Sequence, residues 1–232
     1  MATFVLVHGA WHGGWCWRRV AQALRAGGDE VFAPTLTGLG ERAHLLSPAI
    51  GLDTHVDDVL GVLESEDLSD VVLVGHSYAG LVVSAASDRA PRRVARVVYL
   101  DAAVAADGQC LIDRLGERSR TLFEERSLAE GEGWRLPASV ATAAYLSLER
   151  EEDIRWVLPR LTDHPMRTMR DPLRLSSAFP RHPRSYLNCI GDRPPGQPRS
   201  PQAEGIPDYQ ELRTGHVEDQ FRPPTCSMTT NR

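Results

Sequence analysis

Ser77 lies in a segment, GHSYAG, whose composition could make the serine a nucleophile. The segment directly follows an apolar run at residues 71–74 and precedes a helical pattern at 81–90. A serine at such a strand-to-helix turn adopts a strained backbone conformation, so the residues two positions away must be small. Gly75 and Ala79 are small, although the strict pattern has glycine where Ala79 stands. The pattern favours a hydroxyl that attacks a carbonyl carbon, with an ordinary turn as the alternative.

A second segment, HGAWHGGW at residues 8–15, follows the first apolar run of the chain. Attack on a carbonyl creates an oxyanion, which needs N–H donors. The N–H of Tyr78 is expected at a helix N-terminus, which carries partial positive charge, and glycines would let the loop at 8–15 approach the same oxygen. A glycine-rich turn with core tryptophans is the alternative. His8 and His12 have no carboxylate or cysteine nearby to complete a ligand set, so no metal is expected.

Alternating strands and helices must position these segments. Short apolar runs typical of strands buried on both faces alternate with helical patterns, which predicts an α/β fold with a parallel sheet covered by helices. The predicted strands are 4–7, 31–32, 71–74, 94–100, 185–190 and 209–212. Residues 107–180 carry charged helical stretches instead and are predicted to form a helical cap inserted into a core of residues 1–106 and 181–232.

Composition excludes several other functions. The chain has 232 residues and a formal net charge of −5, and all 26 basic residues are arginine. Without lysine, neither Schiff-base chemistry nor a P-loop is possible in this chain. The mild acidity argues against nucleic-acid binding, and no apolar run is long enough for a membrane span. No signal peptide is visible and the four cysteines lie far apart, so a cytoplasmic protein with free thiols is expected.

Three motifs together, FVLVHGAWHGGWCW, GHSYAG and YLDA, resemble the α/β-hydrolase superfamily. The most similar branch is that of small esterases akin to plant methyl-salicylate esterases and hydroxynitrile lyases, with their bacterial carboxylesterase relatives. The resemblance runs from residue 3 to about residue 216. It implies a serine carboxylic ester hydrolase that needs no cofactor, acts on a small-molecule ester and is a monomer or homodimer.

The resemblance also implies the site residues. Ser77 would be the nucleophile, His216 its general base, and Asp192 the acid that orients the histidine. The backbone N–H groups of Ala10 and Tyr78 would form the oxyanion hole.

Each of these assignments has a competitor. Asp101, directly after the strand predicted at 94–100, could supply the acid instead of Asp192. The other histidines are less suitable as the base. His8, His12 and His76 are expected to be structural supports, and His164 and His182 belong to the cap or its exit.

The missing lysine also separates two activities of the family. The related hydroxynitrile lyases resemble the esterases but use a lysine directly after the catalytic histidine and a threonine in the first oxyanion loop. Here Val217 follows His216, and Gly9 stands at the threonine position. We therefore expect ester hydrolysis rather than cyanide release.

The predicted cap should cover the serine with apolar walls, which favours an apolar or aromatic ester or lactone. Trp11 and Trp134 are the candidate substrate-binding residues, and other candidates for the cap wall are Leu136, Tyr145, Leu146 and Trp156.

Two other functions stay open. A biosynthetic thioesterase or cyclase would use the same triad. The second is that of a catalytically impaired homologue. The family normally ends in a helix that supports the histidine, and residues 217–232 lack the periodicity of such a helix.

Overall fold

A computed structural model describes residues 1–191, 205–212 and 214–216. It contains four strands in the first half of the chain, β1 (Thr3–Val7), β2 (Glu30–Phe32), β3 (Val71–His76) and β4 (Val94–Leu100), then a short pair, β5 (Arg135–Leu136) and β6 (His164–Pro165), and finally β7 (Arg184–Cys189) and β8 (Asp208–Leu212). Six of them form one parallel sheet in the order β2-β1-β3-β4-β7-β8.

Helices follow the strands as the sequence predicts. Those of the first half are α1 (Arg18–Ala26), α2 (Leu52–Ser65) and α3 (Ala79–Arg89). Four more lie between β4 and β7, namely α4 (Leu111–Arg114), α5 (Glu117–Glu130), α6 (Glu151–Val157) and α7 (Arg167–Arg170).

The central strands are rich in apolar residues because both faces of the sheet are covered there. Val5, Leu73 and Val97, one from each of β1, β3 and β4, are at most 1% exposed. In β3 the four consecutive residues 73–76 are all buried, without the alternation between core and solvent of a one-sided sheet. The predicted α/β class with a parallel sheet is confirmed.

The region at 107–180, called the cap below, contains the four helices α4 to α7 and also the antiparallel pair β5–β6, which the sequence did not predict. Two residues per strand are too few to show a period-two pattern. The cap is joined to α1 by an ion pair between Arg19 and Asp153, 3.0 Å apart, with the carboxylate 1% exposed. Among the described residues, no helix is long and apolar enough to cross a membrane.

Candidate active site

Ser77 occupies a strained turn between β3 and α3. Its φ is +53°, in the left-handed region that residues with a Cβ rarely adopt. A Cβ on Gly75 would lie 2.7 Å from Val83 Cγ2 and 2.8 Å from the Ala79 carbonyl oxygen. The residue before the turn therefore has to be glycine, which explains the small residue that the sequence pattern requires.

Parallel strands bring the remaining site residues to the same edge of the sheet. Asp101 directly follows β4, the neighbour of β3, and His216 is four positions after the last residue of β8 in the sequence. The histidine loop is bound to the chain after β7, because the Gly191 N–H donates to the Thr214 carbonyl oxygen at 2.9 Å. The carboxyl ends of parallel strands are where ligand sites form in open α/β sheets.

The three side chains make a continuous hydrogen-bonded line. His216 Nε2 lies 3.1 Å from Ser77 Oγ, and His216 Nδ1 lies 2.5 Å from Asp101 Oδ2. An ionised carboxylate only accepts, so Nδ1 carries the proton and Nε2 is left to accept from the serine hydroxyl. The Asp101 side chain is 2% exposed and the His216 side chain 13%, so the pair is largely shielded from water.

Of the two candidate acids, the described residues place Asp101, the alternative, beside His216. The one hydrogen of Nδ1 is directed at Asp101, which was the alternative. Asp101 reaches His216 because it directly follows β4, which lies beside β3 in the sheet. Asp192 itself lies outside the described residues.

Ala10 and Tyr78, the expected oxyanion donors, both line the cavity into which Ser77 opens. Ala10 comes from the loop after β1, and Tyr78 directly precedes α3. Gly9 allows the loop to approach, since a Cβ there would lie 2.8 Å from His76 Nδ1 and 3.0 Å from Ser77 Cβ. The two segments singled out in the sequence therefore meet at the nucleophile.

The rest of the cavity is largely apolar. Trp11 lines it, as predicted, and so does Tyr145 of the cap. Further lining side chains from the cap and the sheet are Leu111, Arg114, Leu115, Phe123, Met169 and Tyr186.

The assignment of Trp134 as a substrate-binding residue is wrong for this cavity. Trp134 is not among its described lining residues, and the Trp134 ring lies under the Arg135 guanidinium, 5.9 Å from ring centroid to Cζ. Trp156 likewise packs elsewhere, edge-on against Trp15 at 5.1 Å. Their apolar character serves packing of the cap, which composition alone does not distinguish from a pocket wall.

Five further histidines are buried around the site, each at most 1% exposed. Burial lowers the pKa of His8 to about 3 and those of His12 and His55 to about 4, and it holds the pKa values of His76 and His164 well below the ordinary range. The cause is desolvation, which disfavours the charged imidazolium. All five are therefore neutral near pH 7. The described part of the chain contains no cluster of three His, Cys, Asp or Glu side chains arranged to hold a metal ion.

His76 supports the base directly, a role that the sequence did not specify. Its Nε2 lies 2.7 Å from the backbone oxygen of His216, so Nε2 carries the proton and donates it. The two rings lie 4.6 Å apart. In the sequence, only the position of His76 next to Ser77 pointed to a role at the site. The residue that His76 supports, His216, is 140 residues away in the chain.

Comparisons with known proteins identify the family of the chain. The Alpha/beta hydrolase family matches residues 4–222 of the chain. A carbendazim hydrolyzing esterase from Nocardioides sp. (strain SG-4G) is 54% identical over 112 residues, which is 48% of this chain and 46% of that protein. Putative methylesterase 14 of Arabidopsis thaliana is 26% identical over 203 residues, 82% of this chain and 58% of its own length. The matches thus span about half the length of these curated relatives.

Among solved structures, an extracellular alpha/beta-hydrolase from a Paenibacillus species is similar over nearly the whole chain. The TM-score is 0.83 at 25% identity, and the match covers 94% of this chain and 93% of that one. That protein is described as sharing structural and functional homology with tobacco Salicylic Acid Binding Protein 2.

Proposed function

Because this chain belongs to the alpha/beta hydrolase family, we propose that it is a serine esterase that hydrolyses small carboxylic esters. Ser77 is the nucleophile, His216 the general base and Asp101 the acid. The observation that carries the proposal is the line of hydrogen bonds from Ser77 Oγ through His216 to Asp101, which opens into an apolar cavity. The names of its relatives, which are esterases and methylesterases, support the same reaction class.

The chemistry follows from the positions of the three groups. Ser77 Oγ attacks the ester carbonyl carbon while His216 Nε2 takes the hydroxyl proton. The Ala10 and Tyr78 N–H groups stabilise the oxyanion, each worth about 2.7–4 kcal/mol. When the tetrahedral intermediate collapses, His216 returns the proton to the leaving alcohol and an acyl-serine remains. Water, deprotonated by His216, then releases the acid and restores Ser77.

The cavity favours an ester with an apolar or aromatic body. Its lining includes Leu111, Leu115, Phe123 and Met169, which can bury such a group but offer few polar contacts for orientation. The methylesterase names favour a small leaving alcohol. Carbendazim and methyl salicylate are therefore the first substrates to test, alongside p-nitrophenyl esters of increasing acyl length.

The test is labelling with a fluorophosphonate probe together with hydrolysis of these esters. We expect the wild-type protein to be labelled and to hydrolyse short p-nitrophenyl esters, while Ser77→Ala is not labelled and loses activity by at least about 10³-fold. His216→Ala should lose activity to a similar extent. A wild-type protein that is not labelled and is no faster than Ser77→Ala would overturn the proposal.

A further inference from the structure

The peptide planes on both sides of Ala10 are held by histidines. The Gly9 carbonyl oxygen, on the same peptide plane as the Ala10 N–H, lies 2.8 Å from His8 Nδ1. On the next plane, the Ala10 carbonyl oxygen lies 2.7 Å from His12 Nδ1, and the Trp11 N–H donates to His164 Nδ1 at 3.4 Å. A carbonyl only accepts, so His8 and His12 carry their protons on Nδ1. His164 differs from them because it belongs to the cap.

His164 is kept in the tautomer that this contact needs. The Thr168 hydroxyl donates its single hydrogen to the Pro165 carbonyl oxygen at 2.8 Å. It can therefore only accept from His164 Nε2, which lies 2.8 Å away. The ring proton is thus on Nε2, and Nδ1 is free of a proton and accepts from Trp11. Burial, together with the nearby His55, holds the pKa of His164 well below its ordinary range, so the ring stays neutral.

Trp11 is bound to the cap through its other polar groups as well. Its carbonyl oxygen accepts from the Thr162 N–H at 3.0 Å, and its indole Nε1–H donates to the Leu136 carbonyl oxygen at 3.2 Å. The indole ring packs edge-on against Phe123 at 5.6 Å and Tyr145 at 5.7 Å, both from the cap.

The backbone of Trp11 needs this support. Its φ is +63°, a left-handed conformation that is unusual for a bulky residue and persists only where surrounding contacts over-determine it. All the contacts of Trp11 described above come from residues between 123 and 164, which belong to the cap. The conformation of the oxyanion loop therefore depends on the cap.

We propose that His164 is a positioning residue of the oxyanion hole: it acts from the cap, through Trp11, to direct the Ala10 N–H at the carbonyl oxygen of the substrate. His8 and His12 hold the neighbouring carbonyls of the same loop. The cap is then a part of the catalytic apparatus at this edge and does more than cover the cavity. The inference rests on the proposed esterase function, because the oxyanion is that of ester hydrolysis.

His164→Leu and His164→Asn form a matched pair for testing this role. Leucine fills the space without an acceptor, whereas the asparagine Oδ1 can take the place of Nδ1 and accept from Trp11. His182→Leu removes a histidine that neither lines the described cavity nor contacts the oxyanion loop, and it serves as the control.

In kinetics with p-nitrophenyl butyrate, we expect His164→Leu to lower kcat about 10- to 100-fold and to leave KM within threefold, since the loss falls on the oxyanion of the transition state. Binding of a trifluoromethyl ketone, whose adduct with serine carries the same oxyanion, should weaken by a similar factor. His164→Asn should recover most of kcat, and His182→Leu should stay within twofold of wild type. Equal losses in the leucine and asparagine variants, or a change in KM alone, would overturn the proposal.

Amide hydrogen exchange supplies a readout that does not depend on activity. The Trp11 amide should exchange at least about tenfold faster in His164→Leu than in wild type, His164→Asn or His182→Leu. If His164→Leu does not fold, Thr168→Val replaces it, since the loss of the hydroxyl frees the ring proton to move to Nδ1. An unchanged Trp11 exchange rate would refute the positioning role. A wild-type protein without esterase activity would refute the proposed function, and the exchange result would still decide whether His164 holds the loop.

Discussion

Asp101 and His216 are 115 residues apart in the chain, yet Asp101 Oδ2 lies 2.5 Å from His216 Nδ1. The contact exists because Asp101 directly follows β4 and Ser77 directly follows the neighbouring strand β3, so a histidine between the two residues reaches both. Asp101 has a φ of +43°, and its backbone N–H donates to the Leu187 carbonyl oxygen at 2.7 Å, which holds the carboxylate at the strand end.

Replacing the acid tests this relationship. Asp101→Asn keeps the shape but offers an amide to Nδ1, which favours the wrong tautomer of His216, and we expect kcat to fall about 10³- to 10⁴-fold. In Asp192→Asn, kcat should stay within about threefold of wild type, because Asp101 still accepts the hydrogen of His216 Nδ1. Rates with p-nitrophenyl butyrate, measured on variants with unchanged circular dichroism, decide the matter. A larger loss in Asp192→Asn would mean that the acid is misassigned.

His76 should matter for activity through the backbone of His216. In His76→Leu the His216 carbonyl oxygen loses its donor, and we expect kcat to fall about tenfold as the base becomes less well oriented. In His76→Gln the side-chain Nε2 of glutamine can donate from nearly the same place, so this variant should retain most of the rate. Similar rates for wild type and His76→Leu would rule out the supporting role.

The buried histidines predict a specific pH dependence of stability. The pKa of His8 is about 3 and those of His12 and His55 are about 4 in the folded protein, below the ordinary 6.5. Between these values the unfolded chain binds more protons, so the free energy of unfolding is highest above pH 6.5 and falls as the pH drops toward 4. Each histidine contributes a slope of about 1.4 kcal/mol per pH unit within that window.

Urea unfolding at pH 7.5, 6.0 and 5.0 measures this slope. We expect the unfolding midpoint to move to lower urea at each step. A midpoint that stays constant from pH 7.5 to pH 5.0 would contradict the neutral state of these side chains.

The turn behind the nucleophile leaves no room for a side chain at Gly80. A Cβ there would lie 2.1 Å from the Ala103 carbonyl oxygen, which belongs to backbone and cannot move away cheaply. We expect Gly80→Ala to destabilise the protein by at least about 2 kcal/mol. Gly61 in α2 is a matched control, because it is exposed and a Cβ meets nothing within 4 Å. Gly61→Ala should stabilise by about 0.5–1 kcal/mol. Thermal unfolding compares the two, and equal effects would contradict the steric argument.

The two faces of the cap should respond differently to substitution. Leu115 lines the cavity, so Leu115→Ala should raise KM for p-nitrophenyl butyrate about three- to tenfold through lost apolar contact. Trp134 lies away from it, so Trp134→Leu should leave KM within twofold of wild type. A rise in KM for Trp134→Leu alone would restore Trp134 as a substrate-binding residue.

The sequence by itself determined the parts of this protein that depend on neighbouring residues. Ser77 was identifiable because its strained turn needs a strand before it, a helix after it and small residues at Gly75 and Ala79, all within ten positions. The alternation of apolar strands and helices determined the α/β class for the same reason, since a strand buried on both faces shows as a short run of consecutive apolar residues.

Only the tertiary structure decided which distant groups meet. Asp101 and Asp192 both follow predicted strands and have the same chemistry, and only the folded chain shows that Asp101 lies beside His216. The supporting roles of His76 and His164 depend on partners 140 and 153 residues away, which a single sequence does not identify. Trp11 and Trp134 likewise look equivalent in composition. Their different surroundings follow from how the cap packs on the oxyanion loop, which is a property of the folded chain.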